Sequence, residues 1–116
     1  MPTIGAPYHP AAAAATIEGV FADFAPLVVI CAYWRGATHG ADPRVLVFAI
    51  PARRVDGITV LPNDDMAFFP AIDLAGVTQP RPGDYFIDPA GLRRDVITAH
   101  LHTTLAYWKM VARKVF

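Results

Sequence analysis

Apolar residues gather in several short runs along the chain, separated by turn residues, Pro, Gly and Asp. "LVVICAYW" (27–34) follows Pro26 and is rich in β-branched and aromatic residues, which predicts a strand. "RVLVFAI", from Arg44 to Ile50, predicts a second strand ended by Pro51. Between them "RGATHGADP" carries Gly36, Gly40, Asp42 and Pro43 and reads as a loop. Asp56-Gly57 is a tight-turn pair before "ITVL", and Pro62-Asn63-Asp64-Asp65 is another turn. "MAFF" reads as a strand cut by Pro70, and "AIDL" as one helical or 3₁₀ turn. "DYFID", "LRRDVITAHL" and "LAYWKMVARKVF" predict three closing strands. In the last, Ala106, Trp108, Met110, Ala112 and Lys114 share one face, and neither face is cleanly apolar.

Many short strands with Pro/Gly punctuation predict an all-β domain, a barrel or sandwich of about six to eight strands. The expected division is an extended N-terminal arm over residues 1–15 and a single β-barrel-like domain over residues 16–116. The arm contains "AAAAA", which favours helix, but five residues are too few to nucleate one alone. As an apolar, proline-broken segment, it is expected to order by docking in an assembly, the alternative being a frayed terminus. One real core fits a chain of 116 residues.

Composition changes this picture in one respect. Hydrophobic residues are 54% and charged residues 17%, so part of the apolar surface is expected to be covered by partners. Ten basic residues balance ten acidic ones, which is unlike a nucleic-acid-binding excess. "PAAAAATIEGVFADFAPLVVICAYW" is interrupted by Glu18, Asp23 and Pro26 and lacks a basic start, so neither a membrane span nor a signal peptide is expected. An intracellular origin is the default expectation. The lone Cys31 excludes an intrachain disulfide and reads as a buried small hydrophobe.

Candidate chemistry is sparse. In "QPRPGDYFIDPAGLRRDVI" (79–97), Pro80, Pro82, Gly83 and Asp84 form a turn. Asp84 and Asp88 are expected to satisfy turn amides rather than transfer protons. His100 and His102 form H-x-H, which on a strand puts both on one face, where they could share a metal with His9, His39 or a distant carboxylate. The plainer reading is two exposed histidines, so no metal and no other cofactor is expected. Arg53, Arg54, Arg93 and Arg94 are candidates for a partner's carboxylates or for DNA phosphate, and Trp108 for an inter-subunit contact. The alternative for the arginines is a solvated edge that discourages aggregation. No Ser-His-Asp order, glycine-rich phosphate loop or H-E-x-x-H motif is present, and no enzymatic activity is expected.

Three groups of residues carry a resemblance: Tyr33, Arg35 and Gly36; then Asp65, Phe68, Ala71, Asp73 and Leu74; then Pro80, Arg81, Gly83, Asp84 and Ile87. In this order and spacing the chain resembles the small head–tail connector proteins of tailed bacteriophages, the head-closure, stopper or head–tail joining proteins. The likeness spans residues 27–116. It departs from the pattern at "LRRDVI", where such proteins often carry "Y-E-V", and in the alanine-rich N-terminal segment. The resemblance implies a β-barrel subunit of a homo-oligomeric ring, expected to be sixfold, in the virion neck. That ring would close the filled head, with a portal or adaptor ring above and a tail terminator or tail tube below. Genomic DNA would pass through the lumen unread, and no membrane would be involved. The alternatives are another neck or tail ring, a tail terminator or adaptor, and, from a different class, a small metal- or ligand-binding barrel using His100 and His102.

Overall fold

The computed structural model describes residues 10–116, with side chains from residue 16 onward. The fold is mostly β. One helix, α1 (Pro10–Asp23), precedes eight strands: β1 (Val29–Ile30), β2 (Ala32–Arg35), β3 (Thr38–Ala41), β4 (Arg44–Ala49), β5 (Asp65–Pro70), β6 (Tyr85–Ile87), β7 (Arg93–His102) and β8 (Tyr107–Val115). They form one antiparallel sheet in the order β1-β4-β5-β8-β7-β6-β2-β3, curled into a half-barrel. Only Cys31 separates β1 from β2, so one bent segment lies in both end regions of the strand order and draws them together. The amide of Cys31 donates to the carbonyl of Pro43 at 3.0 Å across this junction.

The concave face holds the main core. Alternate residues of the strands point into it: Tyr33, Val45, Ala67, Phe69, Phe86, Val96, Met110 and Ala112 are buried together with Cys31. The 3₁₀ turn Ala71–Leu74 and the segment after it add Leu74 and Val77 to the same cluster. Phe69 sits between Tyr33 and Phe86, edge-to-face with each, at centroid distances of 6.0 and 5.2 Å.

The convex face carries α1. Ile17 and Phe21, one helical turn apart, pack with Leu46 against Phe48, Phe68 and Tyr107. This helix corrects the expected organisation. Residues 10–15, assigned to an extended arm, form its first turns, and "TIEGVFAD" extends the alanine run to 14 residues. Pro10, with its preset φ and no N–H to leave unpaired, is its first residue. The expectation for residues 1–9 lies outside the described residues.

Two further local readings change. The expected loop "RGATHGADP" contains β3, which pairs with β2 as a hairpin around Gly36 at φ +58°. The Asp56-Gly57 turn is not part of a two-residue hairpin: "ITVL" forms no strand, and the Asp56 carboxylate accepts the amides of Ile58 and Val60, both at 2.8 Å. The stretch 79–97 is a hairpin, as expected. β6 pairs with β7, and the Asp88 carboxylate accepts the amides of Ala90 and Leu92 in the connecting turn. Gly83 stands at φ +94° before β6, a conformation glycine takes without strain.

Candidate functional site

Asp84 accepts four hydrogen bonds and is 1% exposed. Its Oδ2 accepts the Tyr33 hydroxyl at 2.8 Å, Arg35 Nη2 at 3.0 Å and the Arg81 amide at 3.1 Å. Its Oδ1 accepts Arg35 Nε at 2.8 Å. The same guanidinium donates to the carbonyls of Thr78 and Gln79, closing the turn over the strand end. Burial alone would raise the Asp84 pKa. The Arg35 bonds, the Arg81 amide and the Tyr33 hydroxyl outweigh it and hold the carboxyl below its ordinary value. Tyr33 is pushed up, by burial first and then by its bond to Asp84. Such a group is a fixed anion that locks geometry, with no proton to exchange near neutral pH. The expected turn-amide role of Asp84 is present and is the smaller part of what it does.

Three more arginines are clasped in the same way. Arg44 bridges Asp73, with Nε–Oδ2 at 2.8 Å, and Glu18 of α1, with Nη1–Oε2 at 2.6 Å, tying the helix to the sheet. Arg113 grips the buried Asp64 through Nε and Nη2, both at 2.9 Å. Arg94 reaches Asp65 at 3.0 Å and Asp88 at 3.1 Å, and Lys114 joins Asp65 at 2.9 Å. Arg94, a sequence candidate for partner contact, is therefore occupied within the chain, and its side chain is only 11% exposed. Trp108, another candidate, packs half-buried against the core cluster.

The remaining candidates lie on the surface. Arg53 and Arg54 are exposed in the 3₁₀ turn Ala52–Arg54. His100 and His102 share the convex face of β7; His102 stacks on Tyr107 at 5.0 Å, and His100 faces Lys109 across the ladder. His39 pairs with Asp42 at 2.8 Å, far in topology from the H-x-H pair, and His9 lies outside the described residues. Among the described residues no three His, Cys, Asp or Glu side chains gather as a metal would require. Burial drives the Cys31 thiol up to about 12, so it is not a nucleophile near neutral pH.

One surface feature escaped the sequence reading. Arg93 lies 3.8 Å over the ring of Tyr85, Tyr85 stacks on Trp34 at 4°, and Trp34 meets His39 at 5.1 Å. This ladder crosses β7, β6, β2 and β3 on the outer face. Alternation along "AYWR" and "DYFID" puts Trp34 and Tyr85 opposite the core, but their adjacency depends on the non-local pairing of β2 with β6. Trp, Tyr and Arg are the residue types that dominate interface energetics. Trp34 Nε1 is buried with no hydrogen-bond partner among the described residues. Ile30, Ile58, Ile72 and Phe116 are exposed apolar side chains elsewhere on the surface. Among the described residues no helix is long and apolar enough to cross a membrane. Comparison of the chain with family models, curated proteins and solved structures returns no match.

Proposed function

We propose that the protein is a structural subunit of a tailed-phage neck, a ring-forming connector that closes the filled head and joins it to the tail. The observation that carries this reading is the meeting of two segments of the resemblance. Tyr33 and Arg35 of the first clasp Asp84 of the third, 49 residues from Arg35. The segments are thus two halves of one clamp, which gives a physical reason for their joint occurrence. Asp73 of the middle segment holds Arg44, so all three groups fix the frame rather than perform chemistry. The Arg93–Tyr85–Trp34–His39 ladder supplies an outer face of interface composition, suited to a neighbouring subunit.

The reading has a direct test in particles of the host that carries the gene. Removing the gene should yield DNA-filled heads and separate tails, and adding the purified protein should restore joined particles. Arg93→Glu places a carboxylate beside Asp95 and unstacks Tyr85 without touching the core. It should keep the wild-type melting curve and lose ring formation by sedimentation and by particle imaging. Joined, infectious particles in the absence of the protein would overturn the proposal.

A further inference from the structure

A second surface, separate from the aromatic ladder and from the arginine clamps, lies on the convex face of β5, β7 and β8. A cavity of about 250 Å³ opens there. Its polar edge is formed by Arg54, Thr98, His100 and Lys109. Its floor is formed by Ile50, Met66, Val60 and Val111. The polar edge holds two permanent cations, an imidazole and a hydroxyl, and the lining contains no carboxylate.

Neither the Arg54 guanidinium nor the Lys109 ammonium has an ion-pair or hydrogen-bond partner among the described residues. Arg35, Arg44, Arg94 and Arg113 are each bound to an aspartate instead. Asp56, the carboxylate closest in sequence to Arg54, is already taken up by the amides of Ile58 and Val60. His100 and Lys109 are direct cross-strand neighbours, a spacing of about 5 Å between Cβ atoms, so both side chains can reach one ligand between them.

We propose that the cavity edged by Arg54, Thr98, His100 and Lys109 is a phosphate-binding site. Three elements supply the donors: the 3₁₀ turn carrying Arg54, β7 carrying Thr98 and His100, and β8 carrying Lys109. Donors converging from several directions suit a tetrahedral oxyanion, whereas a planar carboxylate is matched by a single fork. The apolar floor keeps water off one side of the bound group and strengthens each charge-assisted bond. The volume suits a phosphate group with a small attached body rather than a drug-sized molecule. The same chemistry could come from a free small phosphate or from the phosphodiester backbone of DNA. The site does not depend on the neck reading.

The test uses the whole chain, ¹⁵N-labelled, titrated with inorganic phosphate and separately with a short DNA duplex. Saturable shifts centred on Thr98, His100 and Lys109 are expected. An Arg54→Gln/Lys109→Met variant, checked for an unchanged melting curve, should weaken binding at least tenfold. Met retains the apolar stem of Lys109, so packing is preserved. Saturation by phosphate alone identifies a small phosphate ligand. Saturation by the duplex alone, lost in the same variant, identifies the backbone. No shift at these residues with either probe, or equal affinity in the double variant, would overturn the proposal.

Discussion

Replacing Asp84 with Asn keeps the shape of the side chain and removes its charge. The geometry dictates how the amide must turn. Oδ2 serves three donors, Tyr33 Oη, Arg35 Nη2 and the Arg81 amide, whereas Oδ1 serves Arg35 Nε alone. Asn therefore keeps its oxygen at the first position and sets its NH₂ against Arg35 Nε, donor against donor at a former distance of 2.8 Å. A guanidinium is left facing a neutral group in the turn. Breaking a buried ion pair costs about 3–5 kcal/mol. Arg35 is 30% exposed and keeps its bonds to Thr78 and Gln79, so water recovers part of its solvation. The low end, about 3 kcal/mol, is the expected cost. At about 2.1 cal/mol/K of unfolding entropy per residue, that corresponds to a fall in melting temperature of about 12 °C.

Urea unfolding should show a lower midpoint with an unchanged slope, since the loss lies in the native state. The decisive control is the background Arg35→Met. There the Asp84 carboxylate is buried without its cation, and Asp84→Asn should cost less than about 1 kcal/mol or even stabilise. A cost below about 1 kcal/mol in the wild-type background, the scale of an exposed salt bridge, would refute the claim that this clamp holds the fold.

Two further outcomes follow from the same frame. Gly83→Val should destabilise by about 1–2 kcal/mol or more, because φ +94° is costly for a branched residue. No atom beyond its chain neighbours lies within 4 Å of the added Cβ, so the cost is backbone strain, and equal melts for wild type and variant would refute it. Acid should unfold the protein through Asp64, Asp73 and Asp84, whose folded pKa values are lowered by their arginine and amide partners against the raising effect of burial. Their contribution is fully present above the unfolded value of about 3.9 and is lost as pH falls through the lower folded values. Stability measured between neutral pH and about pH 3 should therefore drop at the acid end, and less steeply in Asp84→Asn. A flat profile would contradict it.

The long strands were legible in the sequence because their core positions alternate. Val45, Ala67, Phe69, Phe86, Val96, Met110 and Ala112 fall on the inward parity of β4 through β8, and a bulge at Ile97 shifts that parity once, within β7. What escaped depended on contacts between segments. Gly40 reads as a loop residue, yet it lies within β3, and a Cβ there would come within 2.9 Å of the Val77 side chain. The glycine is a packing requirement, which local sequence does not reveal. Helix α1 escaped because its burial is set by the sheet. Ile17 and Phe21, buried among its described side chains, depend on a convex sheet face that exists only after β4, β5 and β8 have paired.

The same dependence decides which cations are available for function. Arg35, Arg44, Arg94 and Arg113 look no different in sequence from Arg53 and Arg54. Their main partners lie 29 to 49 residues away, Asp84 and Asp64 at the longer distance and Asp73 and Asp65 at the shorter. Strand register brings each pair together, and a one-residue slip would turn every one of them to the wrong face. The arginines that clasp aspartates brace the frame and pair four of the ten basic side chains within the chain. Arg93 is committed to Asp95 and the aromatic ladder, while the Arg54 and Lys109 side chains have no ion-pair partner among the described residues. A chain with balanced formal charge can thus still present a local cationic site. Among the described residues the side chains of Arg53, Arg54, Arg81 and Lys109 form no ion pair, and two of them, Arg54 and Lys109, share one cavity on the face opposite the core.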